Sequence, residues 1–201
     1  TGDAGSRFVI AIGQAIFLVL FLILYGDCIA ARQRIGAVYF FSRISNRKKW
    51  ILKEFVWLLF YSVLYTFCFV GMHMIFSIWG SSEANLSGTL FKVAFQIGLF
   101  LTLLLFEMAV LCNLFCAAGG SAIGILLSML CVIGLIMWST AEVDGVVSEM
   151  INPMWLSADI IENGGSYIQK IIIVFLQTAI CAVGTGYYLA KRDLFAREGE
   201  G

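Results

Sequence analysis

A single proline, a single histidine and a charged fraction of 13% mark this 201-residue chain by what it lacks. A soluble domain carries about a quarter charged residues. With 61% hydrophobic residues here, the composition excludes an ordinary soluble fold and points to an integral membrane protein. There is no P-loop, so the chain has no means of hydrolysing ATP itself. There is also no HExxH, no pair of carboxylates within one apolar run and no Ser/His constellation, so catalysis is unsupported. The six cysteines (Cys28, Cys68, Cys112, Cys116, Cys131, Cys181) all lie in or beside apolar runs and read as small hydrophobes, not a disulfide framework. Cys112 and Cys116 share a helix face, but no second ligand pair accompanies them, which argues against a metal site.

What is abundant is long apolar sequence. Five segments approach the roughly 20 residues needed to cross a bilayer: Phe8–Tyr25, Phe55–Trp79, Val93–Phe115, Ala122–Thr140 and Ile171–Ala190. The net charge is zero, yet the charges are segregated. Between Asp27 and Glu54 stand seven bases (Arg32, Arg34, Arg43, Arg47, Lys48, Lys49, Lys53) against those two acids. Between Glu142 and Gln169 stand five acids (Glu142, Asp144, Glu149, Asp159, Glu162) and no base. Lys and Arg concentrate on the cytoplasmic side of membrane proteins. The expected topology is therefore a basic loop inside, the acidic loop outside and Lys191–Gly201 inside. Residues 1–7 then fall outside without a targeting element, so one further span is expected upstream, for six in the full protein.

Two connecting segments have internal order. In residues 28–47, Ile29, Ile35, Val38 and Phe41 recur at helical spacing with Arg32 and Arg34 off that stripe. This predicts an amphipathic helix at the membrane surface, read either as a docking element or as a plain interfacial helix. Ser45 or Asn46 is placed to cap the helix that follows. In residues 142–169, Pro153 suits a helix start and Trp155 a membrane interface, predicting short outer helices.

Within the spans, polar residues are few. Glu107 is the only acid deep in an apolar segment, with Gln96 on its face; it is expected either to line a pathway or to pair with a base such as Lys53. Gln14 reads as pathway-lining or as helix–helix glue, and His73 as interfacial. Gly120, Gly124 and Ser128, like Thr178, Ala182 and Gly186, recur every four residues and suit close helix packing, within the bundle or against a second subunit. Asn85-Leu86-Ser87 matches a glycosylation sequon, a short pattern.

The arrangement resembles the membrane subunits of the ABC-2 (type V exporter) family of ABC transporter permeases. The likeness is carried by YGDCIAARQRIG at the end of one span and SRISNRKKWILKEF leading into the next, where Asp27, Gly36, Arg43, Ser45 and Arg47 match the family's coupling element. Asn152–Asn163 falls where that family has re-entrant outer helices, and YYLAKRDLF where its members end a final span. The resemblance implies an all-α ABC-2 permease-like bundle that pairs with a second permease subunit, identical or different. It also implies cytosolic ABC ATPases holding ATP and Mg, docked through Asp27, Arg32, Arg34, Phe40, Phe41, Arg43 and Arg47. Gln14, Glu107 and Ser128 would be pathway candidates, Pro153 and Trp155 outer-gate residues, and the cargo amphipathic or lipid-like, such as a peptide or antimicrobial. A stand-alone membrane immunity or stress protein, or an intramembrane enzyme, is the competing expectation.

Overall fold

Six helices follow one another in a computed structural model that describes residues 4–36, 47–80, 88–140 and 167–191. They are α1 (Ala4–Tyr25), α2 (Cys28–Gly36), α3 (Arg47–Gly80), α4 (Gly88–Gly119), α5 (Ser121–Thr140) and α6 (Tyr167–Lys191). All described secondary structure is helical, and five helices are long and apolar enough to cross a membrane. In lipid, a helix satisfies its own backbone hydrogen bonds, and proline is absent from every one of these segments. The sole proline, Pro153, lies outside the described residues together with Trp155, Phe40, Phe41 and Arg43. The expected short outer helices lie outside them as well.

The expected spans agree with the helices, with one informative difference. Helix α3 begins at Arg47, eight residues ahead of the expected Phe55, and runs 34 residues. At 1.5 Å per residue that is about 51 Å, well beyond a hydrocarbon core of about 30 Å. The bases Arg47, Lys48, Lys49 and Lys53 therefore stand on a helical extension rather than in a loop. We call this the basic end.

Glycines make the two tight connections. The Gly26 amide donates to Leu22 O (2.8 Å), closing α1, and Asp27 O then accepts from Ala31 N (2.7 Å), opening α2. Between α4 and α5, Gly120 adopts φ = +97°, a conformation that costs glycine little and other residues much. Its amide donates to Cys116 O (3.0 Å) and its carbonyl accepts from Gly124 N (2.9 Å), so the chain reverses within a residue.

Helix α4 is the hub. Of its span, 72% is buried, against 17–33% for the other four. It packs against α1, α2, α3, α5 and α6. Phe100, Leu104, Leu105 and Val110 of α4 meet Leu18, Phe21 and Leu22 of α1, Leu58 of α3, Val132 of α5 and Val174 of α6 in one core. Helices α1 and α3 meet mainly through rings: Phe17 lies 4.9 Å from Tyr65 and 4.2 Å from Phe69, and Tyr25 stacks on Tyr61 at 5.0 Å. Outward, the bundle shows Phe67, Trp79, Ile180 and Val183, each more than 70% exposed. Apolar exposure on this scale suits a lipid-facing surface.

Small residues explain the close α4–α5 approach. A Cβ on Gly124 would sit 2.3 Å from the Cys116 amide nitrogen, so only glycine fits there. Ser128 is buried and donates to Gly124 O (2.8 Å). On α6, Gly186 abuts Phe55 and Ile51 of α3. For these positions the small-residue spacing serves packing within the bundle.

Candidate functional site at the basic end

The first amides of a helix lack partners within it. In α2 the Ile29 and Ala30 amides both donate to Asn113 Oδ1 of α4, at 2.9 and 3.1 Å. Asn113 is wholly buried and donates its own Nδ2 to Ala109 O (2.9 Å), which fixes the amide plane. Helix α2 is thus capped by a neighbouring helix. Asp27, which stands in the capping position by sequence, reaches α5 instead: Ser121 Oγ donates to Asp27 Oδ2 at 2.8 Å. Ser121 Oγ in turn accepts a hydrogen bond from Arg34 Nη2. One hydroxyl at the start of α5 therefore joins both ends of α2.

The third tie runs to α3. Arg32 Nη1 lies 2.6 Å from Glu54 Oε2. The Glu54 carboxylate is 8% exposed while Arg32 is half in solvent, so the guanidinium closes over a nearly buried acid. Charge-assisted bonds of this length are among the stronger ones. Helix α2 is held by α3, α4 and α5 at once.

Of the helix expected over residues 29–41, the structure describes the part that ends at Gly36. Ile29 is fully buried and Ala30 and Gln33 nearly so, because the first turns of α2 dock on α4. Arg32 and Arg34 are engaged within the chain. Asp27 and Arg34 meet at Ser121, Arg32 reaches α3, and Arg47 is the first residue of α3.

A second buried polar point lies deeper. Glu107 is 8% exposed, with Thr178 Oγ1 at 3.3 Å from Oε2 and Cys181 Sγ at 3.7 Å from Oε1. Its partners are on α6, and Lys53 is exposed on α3; the expected pairing with Lys53 is replaced by a neutral one. Thr178 also donates to Val174 O at 2.8 Å. Gln14 is half-buried on α1, and His73 packs edge-on against Phe69 at 4.5 Å near the opposite end of α3.

Cys112 and Cys116 lie with sulfurs 3.9 Å apart, and all six cysteines are free thiols. Among the described residues no three His, Cys, Asp or Glu side chains are grouped to hold a metal. Sequence reasoning missed Asn113 and Ser121. Asn113 is the only asparagine inside any expected span, and that isolation was the available signal. No family model, curated protein or solved structure matches this chain.

Proposed function

We infer that this chain is the membrane-spanning subunit of an ATP-driven exporter of the ABC-2 kind, with its basic end in the cytosol of a bacterial cell. It is a transport subunit, not an enzyme; a separate ATPase carries ATP and Mg. A second permease subunit completes the pathway, and the cargo is amphipathic or lipid-like. The supporting observation is the three-way tie of α2. A force applied to the segment that starts at Cys28 passes to α3 through Glu54, to α4 through Asn113 and to α5 through Ser121. A plain connector needs only a few residues and no such anchoring. In this reading Phe40 and Phe41 continue the segment into a groove of the motor, where buried aromatic anchors typically contribute about 2 kcal/mol or more.

The test is copurification in mild detergent from cells expressing the natural full-length protein. An ATPase should accompany the wild type and be lost from the Phe40→Asp, Phe41→Asp double variant, with insertion unchanged. An ATPase that stays bound and stimulated in that variant overturns the docking role of the segment. Absence of any ATPase from the wild type overturns the exporter reading itself.

A further inference from the structure

Of the three acids among the described residues, Glu107 has the weakest partners. Glu54 has the Arg32 guanidinium at 2.6 Å, and Asp27 the Ser121 hydroxyl at 2.8 Å. Thr178 has one hydroxyl proton to give. Its shorter bond goes to Val174 O at 2.8 Å, and Glu107 Oε2 stands 3.3 Å away. The other oxygen, Oε1, has the Cys181 thiol at 3.7 Å, and a thiol is a weak donor. Charge-assisted bonds run about 2.5–2.9 Å, and neither contact is that short. An ionised carboxylate accepts at about four lone-pair sites. Those of Glu107 are largely unmet.

An acid deep in a span is costly unless paired, and such acids mark substrate pathways. The same face of α6 holds a second unmet group. Thr185 follows Thr178 by two turns of one stripe; it is 1% exposed, and its hydroxyl has no partner among the described residues. At 1.5 Å per residue it lies about 10 Å nearer the basic end, where the adjacent Gly186 abuts Ile51 and Phe55 of α3. Helix α6 receives none of the three ties of α2, which run to α3, α4 and α5. Parting α6 from α4 at Glu107 therefore breaks no charge-assisted bond.

We propose that Glu107 is the receptor for a cationic amine on the cargo, with Thr185 next on its route from the basic end. A primary ammonium brings three N–H donors and a full positive charge, the two things this carboxylate lacks. A hydroxyl oxygen accepts from the same group. The proposal rests on the exporter reading and names the chemical class of its cargo, an amphiphile with an amine headgroup.

Native mass spectrometry of the natural full-length protein in an uncharged detergent tests it. The probes are dodecylammonium, dodecanol and dodecyl sulfate, which share one tail. The wild type should retain dodecylammonium about thirtyfold better than dodecanol, the scale of a buried charge pair, and dodecyl sulfate least. The preference should survive added salt, because buried pairs are screened much less than exposed ones. Glu107→Gln and Glu107→Leu should abolish it, and Glu107→Asp should keep part of it. With the ATPase bound, dodecylammonium should stimulate hydrolysis, and Thr185→Val should reduce that stimulation while retention at Glu107 is unchanged. Stimulation untouched by Thr185→Val overturns the route. Equal retention of amine and alcohol by the wild type overturns the receptor, as does a preference that survives Glu107→Gln. If the amine is held through Glu107 but no ATPase copurifies, the exporter reading fails and the cation site stands. If an ATPase is stimulated equally by all three probes, the exporter reading stands and the cation site fails.

Discussion

Asn113 and Ile29 are 84 residues apart in the chain, yet the side-chain oxygen of one lies 2.9 Å from the amide of the other. The same oxygen also takes the Ala30 amide, so a single residue of α4 decides whether α2 has a satisfied first turn.

Asn113→Ala should therefore release α2 selectively. Loss of a helix cap costs about 0.5–2 kcal/mol. Exchange of the Ile29 and Ala30 amides, followed by hydrogen–deuterium exchange in detergent, should accelerate several-fold while the core of α4 stays protected. Asn113→Asp keeps the acceptor and should keep more of the protection. Unchanged exchange in the alanine variant would mean that α2 is held without its cap.

The α4–α5 hairpin makes a steric prediction with an internal control. Gly124→Ala forces a methyl to within 2.3 Å of backbone, whereas at Gly134 on the same helix nothing lies within 4 Å. Overpacking typically costs about 1–3 kcal/mol. Removing glycine from an open helix position gains up to about 1 kcal/mol. Thermal unfolding in detergent should show Gly124→Ala clearly lowered and Gly134→Ala unchanged or raised.

Arg32 and Glu54 should be coupled. Arg32→Gln leaves the Glu54 carboxylate nearly buried without its cation, and contacting pairs show interaction energies of about 0.5–3 kcal/mol. The Arg32→Gln, Glu54→Gln double variant should be more stable than the sum of the two single losses implies. Strict additivity would show the pair to be incidental.

Glu107 separates structure from transport. Glu107→Gln keeps the side-chain shape and one acceptor oxygen for α6, and in Glu107→Leu the Thr178 hydroxyl still has Val174 O. Both variants should fold. If Glu107 lines the pathway, both should lower transport, whereas Lys53→Gln should leave the α4–α6 contact undisturbed. Full transport by both Glu107 variants would make it a packing residue only.

Orientation has its own check. Single cysteines at Ser82 or Gly145 should react with an impermeant maleimide from outside, and those at Asn46 or Arg197 should not. Outside labelling at Asn46 would invert the topology and remove the cytosolic docking reading.

Hydropathy made the five spans legible, because each is a continuous apolar run whose ends are marked by glycine or charge. The true start of α3 was not legible in that way. Arg47, Lys48 and Lys49 are good helix formers but contribute nothing to an apolar window. The site was half legible. Asp27, Arg32 and Arg34 stand out as charges beside a span, but their partners Ser121 and Glu54 are remote in sequence, and only the fold brings them together. That Ile29 is buried in the bundle was not legible, because one helical stripe cannot distinguish lipid from a neighbouring helix. Glu107 was singled out correctly as a buried acid, but charge complementarity suggested a lysine where α6 supplies a hydroxyl and a thiol.

The central position of α4 also bears on how the chain is made. Helices α1, α2 and α3 emerge from the ribosome before the helix that most of their core contacts require. Asn113 lies six residues from the end of α4, so α2 cannot be capped until nearly all of that helix has been synthesised. During that interval the unpaired Ile29 and Ala30 amides and the loosely joined α1–α3 rings form an unfinished half-bundle. A nascent chain arrested before Gly119 would display these features to the proteases and insertases that survey the bilayer.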